Sequence, residues 1–175
     1  MRRVKCITIN TDASFNGEYK VGGYAFYIRT DNFRLDKSGV LKQVGNAEQA
    51  EIMAIGNALH TLIHASDLPK AEWLVINTDC LNGLNKILNE EYNVEPAKKV
   101  RGLYKALIAK IGSTNNHIRH VKAHNGLHDT RSWANDWCDK EAKKAMRQAV
   151  FDKTGKKPKI KKFQKLIVDN LSEKD

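Results

Sequence analysis

A short, nearly continuous apolar run, Trp73-Leu74-Val75-Ile76-Asn77-Thr78, constrains the fold of this chain more than any other feature. Its length and apolar content are typical of a strand, and its lack of polar alternation indicates that both faces of the strand are buried. The run therefore predicts a strand with both faces covered, and an acidic residue, Asp79, follows this strand directly.

Four more strands and four helices are predicted around this run. The other strands are rich in β-branched and aromatic residues and cover 4–11, 24–29, 33–42 and 117–122. Apolar residues at helical spacing predict helices over 47–62, 81–88, 100–111 and 133–150. Asn46 is the expected N-cap of the first helix. The order β-β-β-α-β-α-α-β-α predicts an α/β fold with a mixed sheet.

The size of the chain predicts one domain with an appendage. Its 175 residues, of which 41% are hydrophobic, predict a domain over 1–150 and a basic tail over 151–175. No apolar run has the length of a leader peptide or a membrane span, so we expect a cytoplasmic protein, and a monomer. Cys6, Cys80 and Cys138 are widely spaced and favour buried thiols over a disulfide framework.

The net charge of +10 is typical of a protein that binds nucleic acid. Part of this charge belongs to the tail, because eight basic residues and one acid lie between Arg147 and Lys165. We therefore hypothesise that Lys153 to Lys165 binds phosphates outside the active site. A merely solubilising tail is the alternative.

Four acids lie where a sheet of this kind would bring them together. Asp12 and Asp79 follow the first and fourth strands, Glu51 lies on the first helix and Asp139 on the last. Clustered carboxylates repel one another unless cations lie between them, and Mg²⁺ prefers such oxygen ligands. Two ions of this kind can activate a water and stabilise the leaving oxygen in phosphodiester hydrolysis.

Five segments resemble the signature blocks of type 1 ribonuclease H, and they occur in that family's order over about residues 4 to 146. They are Thr11-Asp12-Ala13-Ser14, Ala50-Glu51-Ile52-Met53-Ala54, Asn77-Thr78-Asp79-Cys80, Val121-Lys122-Ala123-His124-Asn125-Gly126 and Cys138-Asp139-Lys140-Glu141-Ala142. One block alone is a weak signal, whereas five in order are a strong one.

This resemblance implies a five-stranded mixed sheet, with three antiparallel and two parallel strands, flanked by helices. It also implies hydrolysis of the RNA strand of RNA–DNA hybrids with Mg²⁺, or Mn²⁺ as a substitute, leaving 5′-phosphate and 3′-hydroxyl ends. Two ions per active site are expected when substrate is bound. The metal-binding carboxylates would be Asp12, Glu51, Asp79 and Asp139. His124 would be the loop histidine that assists proton movement or product release.

Two of these acids have rivals one helical turn away. Glu48 could share the helix face of Glu51, and Asp136 precedes Asp139. Block matching favours Glu51, which is followed by Ile-Met-Ala, and Asp139, which follows a cysteine.

Contacts to nucleic acid are expected from polar residues around the acids. The candidates are Asn16, Asn46, Lys98, Lys99, Arg101 and Lys122. The family often carries amides before the helix glutamate to contact RNA 2′-hydroxyls, whereas this chain has Ala47 and Glu48 there. Asn16-Gly17 could equally be only a turn. Some members of the family carry a basic insertion, called a handle, between the third acid and the histidine loop. In this chain it would be reduced to Lys98, Lys99 and Arg101.

Three other functions compete with hybrid cleavage. A zinc site could use His117, His120, His124, His128 and Cys138, although these histidines do not share one strand face. A related nuclease of the same fold, such as a junction resolvase or an integrase-like enzyme, would share the acids and the charge but not the Val121 to Gly126 block. A binding module without catalysis would not need all four acids.

Overall fold

The nine elements follow the order that the sequence predicts. The computed structural model describes residues 3–121 and 130–156. The strands are β1 (Arg3–Asn16), β2 (Val21–Arg29), β3 (Arg34–Leu41), β4 (Lys70–Thr78) and β5 (Asn115–His120). The helices are α1 (Ala47–Ile63), α2 (Leu81–Leu88), α3 (Ala97–Ile111) and α4 (Thr130–Thr154). None of these helices is both long and apolar enough to cross a membrane.

The strands form one five-stranded mixed sheet in the order β3-β2-β1-β4-β5. The β1–β2 and β2–β3 pairs are antiparallel, and the β1–β4 and β4–β5 pairs are parallel. In β4, every residue from Leu74 to Thr78 is buried. The expected α/β fold, with three antiparallel strands and two parallel ones, is therefore confirmed.

Strand β1 differs from the expectation, because it continues past Asp12 to Asn16. Its antiparallel ladder with β2 extends from the Thr8–Arg29 pair to the Asn16–Val21 pair, whereas its parallel ladder with β4 stops at Asn10 and Asn77. The expectation that Asp12 ends the strand is thus wrong. Asp12 instead lies where β1 loses its neighbour β4, so one side of the strand is open at that point.

The main core lies between the sheet and α1. Large apolar side chains such as Ile9, Phe26, Leu59 and Ile76 are fully buried there. The start of α1 is fixed by two hydrogen bonds: the Gln49 N–H donates to Asn46 Oδ1 (2.8 Å), and the Gly45 N–H donates to Gln49 Oε1 (2.9 Å). The predicted N-cap is therefore confirmed, and it fixes the helix turn that carries Glu51.

Helix α4 packs closely against the other face of the sheet. Its inward residues Ala134, Cys138 and Ala142 are small and pack on Ala25 and Tyr27 of β2. The helix continues through Thr154, so the predicted domain boundary at residue 150 falls inside it. That boundary stays a prediction, because residues 157–175 lie outside the described part of the chain.

Helix α4 approaches the sheet very closely at Gly23 on β2. A Cβ atom at this position would lie 2.2 Å from the Ala142 carbonyl oxygen and 2.3 Å from the Met146 nitrogen. Both are backbone atoms of α4, so a side chain could enter only if the whole helix moved. Since α4 also carries Asp139, Gly23 determines how near that acid comes to the sheet.

We predict that Gly23→Ala destabilises the protein by about 3 kcal/mol, because the added methyl group clashes with backbone rather than with a flexible side chain. Gly102 in α3 is the matched control, because a Cβ there meets nothing within 4 Å. Gly102→Ala should stabilise the protein by about 0.5–1 kcal/mol. Urea unfolding measures both changes, and similar values for the two variants would contradict the close packing of α4.

Candidate active site

Three carboxylates converge at the edge of the sheet where β4 ends. Asp12 extends from β1 beyond its last pairing with β4, Asp79 follows β4 directly, and Glu51 reaches the same place from α1. One oxygen atom from each of these three residues lies within 4.8 Å of the others. Among the residues that the structure describes, this is the one group of acids, histidines or cysteines close enough to share a metal ion.

Glu51 occupies the interior of this cluster. Its Oε1 accepts a hydrogen bond from the Ala13 N–H (3.2 Å). Its Oε2 is buried and has no hydrogen-bond partner among the described residues. A buried carboxylate oxygen without a donor is energetically unfavourable. A cation bound at the cluster would satisfy this oxygen, so the donor set fits a hard divalent ion.

The charges of the cluster shift the pKa values of its members strongly. Burial, followed by the charges of Asp12 and Asp79, raises the pKa of Glu51 to about 9. Burial, followed by the charges of Asp79 and Asp139, raises the pKa of Asp12 to about 7. Without a cation, the cluster therefore keeps a proton at neutral pH, because full ionisation would place unscreened negative charges side by side.

Asp139 faces the same cleft from α4 but stands apart from the tight triad. A cleft of about 100 Å³ is lined by Thr11, Asp12, Thr78, Asp79, Val121, Asn135, Asp136 and Asp139. Asp139 is close enough to Asp12 to raise its pKa. Its Oδ2 pairs with the Lys143 ammonium one turn further along the helix (2.7 Å). The cluster thus has three close acids and a fourth that is paired with a lysine.

The two rival acids differ in their surroundings. Glu48 forms an ion pair with Lys86 of α2 and lies outside the triad, which favours Glu51 as the ligand. Asp136 lines the cleft together with Asp139, so proximity alone does not separate them. The charge of Asp139, however, is the one that acts on Asp12. Asp139 is therefore the better candidate.

The residues expected to contact nucleic acid have varied environments. The Asn16 side-chain oxygen accepts a hydrogen bond from the Tyr19 N–H (3.0 Å), which stabilises the β1–β2 turn. The Asn46 oxygen caps α1, whereas Lys98 and Lys99 are exposed at the start of α3. Lys122 and His124 lie outside the described residues.

Arg101 is buried, with 7% of its surface exposed. Its guanidinium donates hydrogen bonds to backbone carbonyls of Lys86 (3.1 Å), Ile87 (2.8 Å), Glu90 (3.5 Å) and Tyr92 (2.6 Å). These bonds hold the connection between α2 and α3. This placement favours a structural role for Arg101 over a direct contact with phosphate.

Sequence reasoning did not identify two features of the site. Below the acids, Asn77 Nδ2 donates to Asn10 Oδ1 (2.9 Å), and both residues are buried in the sheet. Lys143 contacts Asp139 directly. Its spacing of four residues from Asp139 on a helix was a usable signal.

The residues proposed for zinc do not gather in the described structure. Cys138 is buried against the Asn10 carbonyl (3.5 Å), and His117 stacks on Trp73 (ring centroids 5.5 Å apart). A His120 ring nitrogen lies 2.9 Å from the Asp79 carbonyl oxygen. His124 and His128 are outside the described residues.

Comparison with known proteins supports the resemblance of the five sequence segments to ribonuclease H. A family model described as RNase H matches residues 4–147. The fold is similar to that of the N-terminal RNase H domain of Rv2228c from Mycobacterium tuberculosis, solved as a fusion with maltose-binding protein. That match has a TM-score of 0.60 and 16% identity, and it covers 85% of this chain and 99% of the other. No curated protein matches the sequence significantly.

The raised pKa of Glu51 predicts a stability that depends on pH in the metal-free protein. Between the ordinary pKa of 4.5 and the folded value of about 9, folding takes up a proton, so stability falls as the pH rises through this window. Glu51→Gln needs no such proton. In EDTA it should be more stable than the wild type by about 1–3 kcal/mol at pH 8 and nearly equal to it at pH 4.5.

Urea unfolding at the two pH values measures this difference. Glu91→Gln, at an exposed position, is the matched control, and its difference in unfolding free energy from the wild type should be the same at both pH values. A Glu51→Gln effect that does not change with pH would contradict the assigned electrostatics.

Proposed function

The chain belongs to the ribonuclease H family and is a nuclease of that fold, and from this premise we propose that it hydrolyses the RNA strand of RNA–DNA hybrids. The products would carry 5′-phosphate and 3′-hydroxyl ends, and two divalent cations, Mg²⁺ or Mn²⁺, would take part. The observation that carries this proposal is the close triad of Asp12, Glu51 and Asp79, with Asp139 beside it.

The four acids are the proposed metal ligands. Asp12, Glu51 and Asp79 would hold one cation, and Asp12 with Asp139 would hold the second. Bound there, the cations would activate the attacking water and stabilise the leaving oxygen. The chain itself orients the ligands through the Ala13 N–H on Glu51, the cap of α1 and the close packing of α4. Ligands held on strands and helices lose little freedom when the cation and the phosphate bind.

The proposed general acid or product-release residue is His124. Its assignment rests on the Val121 to Gly126 block, because its position lies outside the described residues. An imidazole with a pKa near neutrality can donate a proton to the leaving oxygen and recover it from water.

The proposed groove for the RNA strand lies between the starts of α1 and α2. It is lined by Ala47, Glu48, Glu51, Asp79, Cys80, Leu81 and Asn82. The Lys86 ammonium neutralises Glu48 there, which reduces the repulsion between that acid and a phosphate backbone. The proposed contacts to the hybrid are the amides of Asn16 and Asn46 and the side chains of Lys98, Lys99 and Lys122.

We further propose that the protein acts as a cytoplasmic monomer.

A substrate panel tests this function most simply. We predict Mg²⁺-dependent cleavage of a labelled RNA–DNA hybrid, with double-stranded RNA, single-stranded RNA and a four-way junction left intact. Cleavage of the junction and not of the hybrid would favour a resolvase instead.

Asp79→Asn should reduce hybrid cleavage at least about 100-fold, because it removes the negative charge of a proposed metal ligand. Asp67→Asn is the matched control, because Asp67 is exposed in the loop before β4. The control should cleave at the wild-type rate. Undiminished cleavage by Asp79→Asn would refute the proposed mechanism.

The basic tail is proposed to bind phosphates away from the active site. Replacement of Lys157, Lys159, Lys161, Lys162 and Lys165 by glutamine leaves α4 intact, because this helix ends at Thr154. We predict weaker hybrid binding and a slope of log affinity against log salt that is lower by as much as about 4. Mg²⁺-dependent cleavage should remain detectable. Equal affinity and slope would show that the tail only solubilises the protein.

A further inference from the structure

Lys143 lies close enough to the acid cluster for its positive charge to act on two of the acids. The Lys143 Nζ is 2.7 Å from Asp139 Oδ2, and its side chain is 48% exposed. Its positive charge also acts on Asp12, where it opposes the rise in pKa caused by burial. Lys143 is therefore shared electrostatically by two of the four acids, although it lies on the outer side of α4.

The four acids form two groups, which are called the first and the second half of the site. Asp12, Glu51 and Asp79 are close enough to surround a single ion, and Asp139 is not part of that group. Asp139 lines the cleft from the α4 side together with Asp12, and its charge acts on Asp12. In the first half, a buried oxygen of Glu51 has no partner among the described residues. In the second half, Asp139 already has a cationic partner.

We propose that Lys143 is the resident counter-ion of the second half of the site. Its ammonium balances Asp139 while no second divalent cation is bound, and it swings towards solvent when that cation takes Asp139 as a ligand. Lys143 would thereby set the concentration at which the second cation binds. This inference rests on the proposed function, because it presupposes two cations at these acids.

The side chain of Lys143 suits this role physically. An ammonium on a flexible stem is a mobile point charge, and a half-exposed ion pair is weak enough to be broken by a divalent ion. A competing charge at a ligand oxygen lowers cation affinity without changing the ligand itself. Lys143 is thus a positioning residue that acts through Asp139.

The next lysine along the helix provides a comparison. Lys144 pairs with Glu141 at 3.7 Å and is 76% exposed. Glu141 lines neither the cleft nor the triad. Removal of Lys144 changes the net charge of α4 by the same amount as removal of Lys143, but it leaves Asp139 paired.

Binding of Mn²⁺ to the full, metal-free chain, followed by the electron paramagnetic resonance signal of free Mn²⁺, tests the proposal without any reaction. We expect one tighter and one weaker binding event in the wild type. In Lys143→Met the second event should become about three- to tenfold tighter, the scale on which a partly exposed ion pair competes. The first event should stay unchanged. Lys144→Met and Lys143→Arg should both resemble the wild type.

A second comparison uses Asp139→Asn, alone and combined with Lys143→Met. If the lysine acts through Asp139, the second event is lost in both variants and the lysine substitution has no further effect. An unchanged or weaker second event in Lys143→Met, with binding still sensitive to Asp139→Asn, overturns the role of Lys143 alone. If Asp139→Asn leaves both events intact, or no variant binds a second Mn²⁺, the two-cation arrangement is overturned as well.

Discussion

The electrostatic repulsion among three carboxylates held within 4.8 Å of one another is the constraint on which the rest of this molecule depends. Acids at such distances cannot all be ionised in a partly buried site unless positive charge is present. The protein meets this constraint with protons and with the Lys143 ammonium. Divalent cations would replace the protons and engage the carboxylate oxygens directly.

The fold supplies the rigidity that holds the acids together against this repulsion. Three elements from three layers carry them: α1 on one face, the sheet in the centre and α4 on the other face. Each is fixed by a local device, namely the cap at Asn46, the buried strand β4 and the missing side chain at Gly23. The repelling acids thus lie at the edge of the sheet where β4 ends, while the large apolar core lies between the sheet and α1.

The order of elements and the position of Asp79 directly after β4 were predictable because local pattern determines them. The apolar run before Asp79 indicates a central strand, and the spacing of apolar residues indicates the helices. The length of β1 was not predictable in this way, because residues 12–16 are held by pairing with β2 rather than by their own composition.

Other parts of the site depend on distant contacts. The sequence suggests that Arg101 is a surface base, yet its guanidinium donates to four backbone carbonyls, two at the end of α2 and two in the α2–α3 connection. The separation of Asp139 from the triad depends on how closely α4 approaches β2, which periodicity does not reveal. Substrate contacts are harder still, because the same asparagine can cap a helix and face a ligand.

The central claim is that divalent cations take the place of protons in this cluster, and proton release on metal binding measures it directly. Calorimetric titration of the metal-free protein with Mn²⁺ at pH 7, in buffers of different ionisation enthalpy, counts the protons. The assigned pKa values of Glu51 and Asp12 predict release of at least about one proton per protein. A binding heat that does not depend on the buffer would contradict the account.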